Sequence, residues 1–150
     1  MIPEDGIVLG FDVGARRIGV AVGSRIGAGA RAVAVVDVAD GVADWRHVET
    51  LRREWRPAGC IVGDPMSLDG GDQPIRRFAQ AFAKELHART GLPVAMVDER
   101  NTSQEAARRF AQQRADGRSR RKDAQALDAV AAAVILERWL QAPQDAVSIA

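Results

Sequence analysis

In three stretches of this chain acidic residues stand where burial alone gives a carboxylate no reason to be. Asp12 closes the apolar run "IVLGFD", Asp98 and Glu99 close "VAMVDE", and Asp128 interrupts the alanine- and valine-rich "AQALDAVAAAVILERWLQ". Carboxylates at the ends of two strands, joined by one from a packed helix, make a hard-oxygen donor set of the kind that holds Mg2+ or Mn2+. Two such ions about 3.5 to 4 Å apart activate a water and stabilise a leaving alkoxide, which is what phosphodiester hydrolysis requires. Zinc would call for histidine or cysteine. The two histidines, His47 and His87, fall on predicted helices away from these strand ends, and the single cysteine, Cys60, reads as a core thiol.

Each carboxylate has a competing explanation. Asp12 precedes a glycine-containing turn and could simply open a hairpin. On the last predicted helix, Ala124, Asp128, Ala131, Ile135 and Trp139 share one stripe, so Asp128 falls on the packing face. Asp123 and Glu137 lie about 140° and 180° around the helix from it and are expected to face solvent. An ionised carboxylate on a packing face is costly unless a cation or several donors neutralise it, and an arginine could serve as well as a metal. Asp98 and Glu99 are neighbours on a strand end and point to opposite faces, so only one can easily join a shared site. Alternation does not say which, and the pair could instead cap the next helix or bind Arg100.

The elements that must position these groups follow from the hydrophobic period. Residues 7–12 and 17–24 read as strands of a hairpin joined by "VGAR", and 31–38 as a third strand of the meander. Trp45, Val48, Leu51 and Trp55 recur at helical spacing over 44–56, ended by Pro57 and Gly59. A short buried strand at 60–64, a helix over 75–90 and a strand at 94–99 come next. "TSQE" at 102–105 is a capping box that predicts another helix. Residues 115–123 read as a polar, basic loop before the last helix, 124–141, and 142–150 as a frayed tail. The pattern predicts an α/β fold with a mixed sheet covered on both faces, in a single domain over 1–150. Right-handed crossovers place the later strands parallel to the first.

Composition limits the partners. The chain of 150 residues has 21 Lys and Arg against 20 Asp and Glu, a formal net charge of +1, so a nucleic-acid site must be a local patch. Basic residues gather beside the acidic motifs. Arg16 and Arg17 follow Asp12, Arg100 follows Glu99, and Arg114, Arg118, Arg120, Arg121 and Lys122 crowd the loop before Asp128. Such groups hold backbone phosphates without reading sequence, although a solvated charge run would look the same. Gly14 would let the backbone approach closely. Trp45, Trp55 and Trp139 fall on apolar helix faces, so no exposed stacking platform for bases is expected. One cysteine, no export signal and no long apolar run lead to the expectation of a cytoplasmic protein without a membrane partner.

The stretches "FDVGARRIGVAVG", "VGDPMSLDGG", "VDERNTS" and "KDAQALDAVAAAVILERWL", in that order, resemble the YqgF family of RuvC-like nucleases. Its members are described as pre-16S rRNA nucleases or Holliday junction resolvase homologues. The resemblance implies an RNase H-like fold with a five-stranded sheet in the order 3-2-1-4-5. It implies that Asp12, Glu99 rather than Asp98, and Asp128 rather than Asp123 form the catalytic, metal-holding triad. It further implies Mg2+ or Mn2+ at a two-metal site and a substrate that is either an rRNA precursor, cut at the 5′ end of pre-16S rRNA during ribosome biogenesis, or branched DNA. Three positions depart from the family pattern: Ala15 for a common Thr or Lys, Asn101 for the usual leucine, and Asp64 for an apolar residue. These bear on substrate choice and leave the triad intact. A catalytically idle RNA-binding assembly factor would keep the same fold. A phosphate-binding ATPase of the actin and sugar-kinase kind also begins "DxG" but needs two domains to enclose its nucleotide. Monomer and homodimer both remain open, and symmetric cutting of a four-way junction would need two active sites.

Overall fold

The computed structural model describes residues 2–3, 5–26, 29–65, 73–98 and 123–149, the stretch 123–128 by its backbone alone. The element order is β1 (Ile7–Val13), β2 (Arg17–Ser24), β3 (Gly29–Ala39), β4 (Val42–Ala43), α1 (Trp45–Trp55), β5 (Gly59–Asp64), α2 (Pro74–Thr90), β6 (Val94–Asp98), α3 (Asp123–Gln141), a 3-10 turn at Pro143–Asp145 and β7 (Val147–Ser148). The sheet runs β4-β3-β2-β1-β5-β6-β7. Its middle five strands are the expected 3-2-1-4-5 arrangement. β1 and β2 pair antiparallel from Ile7 opposite Ser24 to Val13 opposite Ile18, while β5 and β6 lie parallel to β1.

Strand alternation divides the core into two layers. Leu9, Phe11, Val13, Cys60, Val62, Val94 and Met96 pack with Val48 and Leu51 of α1 and with Ala79, Phe82, Ala83 and Leu86 of α2. On the other face, Val8, Ala21, Ile61, Ala95 and Val97 pack with Ala132, Ala133, Ile135, Leu136 and Trp139 of α3. Gly10 and Asp12 alternate with Leu9, Phe11 and Val13, so both belong to the α3 face.

Local chemistry sets the helix limits. The Asp44 carboxylate accepts the His47 N–H at 3.3 Å and starts α1. Pro74 occupies the first turn of α2, and Gly91, at φ 72°, ends it.

Two outcomes differ from the sequence reading. The sheet has seven strands in place of five, because the two-residue strands β4 and β7 were too short to leave a period-2 signal. The described residues of the tail expected to fray over 142–150, through Ile149, instead turn back onto the sheet. Ser148 pairs with Ala95 and Val147 with Met96, and the Ile149 N–H donates to the Val94 carbonyl at 2.8 Å. β6 would otherwise present an open row of backbone donors and acceptors, and Ile149 anchors the strand against the core. The helix predicted from Thr102 and most of the basic loop at 115–123 lie outside the described residues.

Candidate active site at the strand ends

Asp12 is the penultimate residue of β1, half-buried on the face that α3 covers. The strand continues past it into a tight hairpin. The Gly14 N–H donates to the Arg17 carbonyl at 2.9 Å, and a Cβ on Gly14 would come within 2.8 Å of that same oxygen. Glycine at 14 is therefore required by the hairpin itself. Ala15 and Arg16 form the exposed tip, and the Val38 N–H of β3 fixes the Arg16 carbonyl at 2.9 Å. Among the described residues the Arg16 guanidinium has no carboxylate partner, whereas Arg17 is half-buried and engaged.

The register carries the level of Asp12 across the sheet. Phe11 pairs with Val62, and Gly63 pairs with Val97, so one step on from Phe11 Asp12 stands level with Gly63 and then Val97. Gly63 follows Ile61 on the α3 face by alternation and carries no side chain. At this level the strand between Asp12 and β6 thus presents only backbone on the α3 face.

α3 crosses this face in the opposite sense to β1. Leu136 and the Ala132 carbonyl lie over Gly10, and Leu136 also lies over Gly23. Trp139 lines a cleft with Ile2, Pro93 and Ala95 at the beginning of β6. The helix therefore descends toward the strand starts as its numbering rises, and its first turns head for the ends of β1 and β6. Asp128 occupies the row of Ala132 and Leu136, one turn of about 5.4 Å before Ala132. The expected stripe is shifted by this: Ile135 and Trp139 do face the sheet, but Ala131 joins Val130 and Val134 in a separate buried cluster. Glu137, expected in solvent, is half-buried beside Gly29 and Ala30.

Asp98 falls on the other face. Met96 packs toward α2, Val97 toward α3, and alternation returns Asp98 to the α2 side. There it is paired in register with Asp64, whose carboxylate takes a two-point contact from Arg76 of α2, Nε at 2.9 Å and a terminal nitrogen at 3.3 Å. The Asp98 carbonyl accepts from Arg138 of α3 at 2.9 Å, tying the end of β6 to that helix. Neither arginine was singled out by sequence. A partner twelve or forty residues away leaves no local periodicity, and Asp64 showed only as a departure from a family pattern.

Glu99, Arg100, Arg114, Arg118, Arg120, Arg121 and Lys122 lie outside the described residues, and Asp128 is placed by its backbone only. Among the described residues no group of three His, Cys, Asp or Glu side chains gathers as a metal site. Asp12 and the row of Asp128 are brought to one end of the sheet on one face; Asp98 is not.

The remaining chemistry-bearing residues have structural roles. Cys60 is buried, and burial pushes its thiol up to about 12. His47 and His87 are half-buried on α1 and α2, His87 in contact with the Leu92 carbonyl at 2.8 Å. Every tryptophan ring has an arginine over it: Arg89 on Trp45, Arg31 on Trp55 and Arg25 on Trp139. No helix among the described residues is long and apolar enough to cross a membrane.

A family model described as "RuvX: Holliday junction resolvase" matches residues 6–142. A protein of Xanthomonas campestris pv. campestris (strain B100), named "Putative pre-16S rRNA nuclease", is 62% identical over 145 residues, covering 97% of this chain and 94% of its own length. A protein of the same name from Xanthomonas euvesicatoria pv. vesicatoria (strain 85-10) is 60% identical over 148 residues, covering 99% and 96%. Among solved structures, Thermus thermophilus RuvC superposes with a TM-score of 0.55 at 18% identity, over 95% of this chain and 99% of that one. That likeness concerns the fold, which is RNase H-like.

Proposed function

This chain belongs to the RuvX (YqgF) family, and on that premise we propose that it is a metal-dependent nuclease that processes the 5′ end of pre-16S rRNA. The observation that carries the reading is the convergence of Asp12 and the Asp128 row on one face at the ends of β1 and β6, beside the bare backbone of Gly63. Asp12 and Asp128, with Glu99 as the next step of the chain after β6, offer only carboxylate oxygens, which suits Mg2+ or Mn2+ and no softer ion. Held by these three residues, the ions would supply activation of a water and charge stabilisation at the leaving oxygen.

The chain's own contribution is placement. The hairpin fixes Asp12, since its tip is bonded to both β2 and β3. Arg16, exposed at that tip, supplies a cation for a backbone phosphate next to the carboxylate. Arg17 and the basic residues Arg100, Arg118, Arg120, Arg121 and Lys122 would extend that contact along the strand. Gly63 adds no side chain on this face of the site. Such a site reads the backbone rather than bases, consistent with tryptophan faces already occupied by arginines.

The family description favours a second reading, a resolvase acting on branched DNA, which would require two copies of the site. One assay separates the readings: cleavage of a labelled pre-16S rRNA fragment and a four-way DNA junction, with Mg2+, Mn2+ or EDTA, by wild type and Asp12→Asn. Metal-dependent cutting of the RNA, reduced at least about 100-fold in the variant, is expected. Cutting of the junction alone would establish the second reading. Cutting of neither, with unchanged RNA binding by Asp12→Asn, would leave an RNA-binding assembly factor.

A further inference from the structure

We propose that Arg53 and Arg56, with Arg31 over the neighbouring Trp55 ring, form a second contact for structured RNA, remote from the strand ends and on the opposite face of the sheet. The proposal rests on the reading that the chain acts on RNA, and it concerns a surface that the hydrolytic site does not use.

The first observation is backbone conformation. α1 ends at Arg56, which is held left-handed at φ 49° and ψ 57° while its N–H donates to the Arg52 carbonyl at 2.8 Å. α2 ends with the same cap, its N–H donating to the His87 carbonyl at 2.8 Å, but the residue there is Gly91. Glycine takes this conformation without strain and arginine does not. One helix thus keeps an arginine where its neighbour in the same layer uses the unstrained residue. Neutralising the negative end of the helix does not require it, because Arg52 and Arg53 already occupy the last turn.

The second observation is the surface around it. Arg52, Arg53 and Arg56 line a shallow cleft of about 460 Å³ with Pro57. Glu49 is held by both nitrogens of Arg52 that face it, and Arg53 approaches it only at 3.4 Å with its side chain 76% exposed. The Arg31 guanidinium, from β3, lies over the Trp55 ring, 5.2 Å from its centre. Among the described residues neither Arg56 nor Arg31 has a carboxylate partner. Arginines grouped around a cleft, with another cation held on the Trp55 ring next to Arg56 in the chain, suit the phosphates of a folded backbone.

The third is location. Gly59 is level with Val8, and Asp12 lies four residues further along β1, so about 13 Å of strand separates their levels. Arg56 lies beyond Gly59, on the α1 and α2 side, whereas Asp12 faces α3. A strand lying at Asp12 would reach it only by passing round to the other face of the sheet. A folded RNA body could touch both, which commits the patch to holding the structured part of a precursor while another part is cut.

The test uses the full chain, a long stem-loop RNA, a short single-stranded RNA and a DNA stem-loop of the same length. Arg53→Ala with Arg56→Ala is expected to weaken stem-loop RNA binding about tenfold and make its salt dependence shallower by about 1.4 to 1.8, two phosphate contacts' worth. Binding and cleavage of the short RNA should not change. Arg56→Gly is expected to raise the melting temperature and still weaken stem-loop binding, a pairing that a purely structural cap would not produce. Stem-loop RNA binding unchanged in both variants would overturn the proposal, as would loss confined to the DNA stem-loop or an equal loss on the short RNA. Failure of wild type to bind any RNA would instead bring down the pre-16S rRNA reading, and this proposal with it.

Discussion

Gly10 of β1 lies directly beneath Leu136 of α3: a Cβ at position 10 would come within 3.0 Å of the Leu136 Cβ and 3.3 Å of the Ala132 carbonyl oxygen. The helix thus rests on the strand through the Leu136 side chain and the Ala132 carbonyl, with no side chain contributed by the strand. This close seat determines which residues of α3 can stand level with Asp12, two residues further along β1. It also explains the glycine, which a strand buried on both faces would otherwise replace with a branched residue.

Gly10→Ala is expected to lift α3 from the sheet. Overpacking a rigid contact of this kind costs about 1 to 3 kcal/mol, readable as a lowered denaturant midpoint at unchanged slope. Cleavage should fall as well, because the row of Asp128 moves with the helix. A midpoint equal to that of wild type would show that the contact yields without strain and that the seat does not set the helix height.

Cys60 sits in the middle of the sheet, and burial raises its thiol from an ordinary value of 9.0 to about 12. The folded state therefore keeps the proton that the unfolded state gives up between those values. Stability supplied by this group is whole below about pH 9 and falls as pH rises toward 12. Cys60→Ala should flatten the decline in melting temperature between pH 9 and the upper limit of the assay. Native protein at neutral pH should also resist alkylation until unfolded. Rapid modification of the native thiol would contradict the burial on which this rests.

Much of this arrangement was legible in the residues. The meander announced itself through Val and Ile at period 2, and α1 through Trp45, Val48, Leu51 and Trp55, because each signal is local. The stripe that put Asp128 on a packing face was right in kind and shifted in detail. α3 is buried nearly all round from Ala129 to Leu136, so its own pattern could not say which row meets the sheet. The ion pair between Asp64 and Arg76 and the Arg138 contact to Asp98 depend on chain crossings that no window spans. β7 was hidden for a related reason: a two-residue strand after "APQDA" exists only because β6 offers an edge.

The choice between Asp98 and Glu99 is where alternation, silent in the sequence alone, acquires a reference. Ala95 and Val97 face α3 while Val94 and Met96 face α1 and α2, so Asp98 belongs with Asp64 and Arg76, away from Asp12. If β6 keeps its alternation for one more residue, Glu99 takes the face of Asp12 and of the Asp128 row. Glu99→Gln should then reduce metal-dependent cleavage by about 100-fold or more, on the scale of Asp12→Asn, while Asp98→Asn should keep it within about tenfold. Both variants should bind stem-loop RNA like wild type, since neither removes a cation. Titrating Mg2+ gives an independent readout: Glu99→Gln should need more metal to reach its residual rate, and Asp98→Asn should not. The reverse pattern would place Asp98 in the site, and would mean that the strand twists out of register at its last residue.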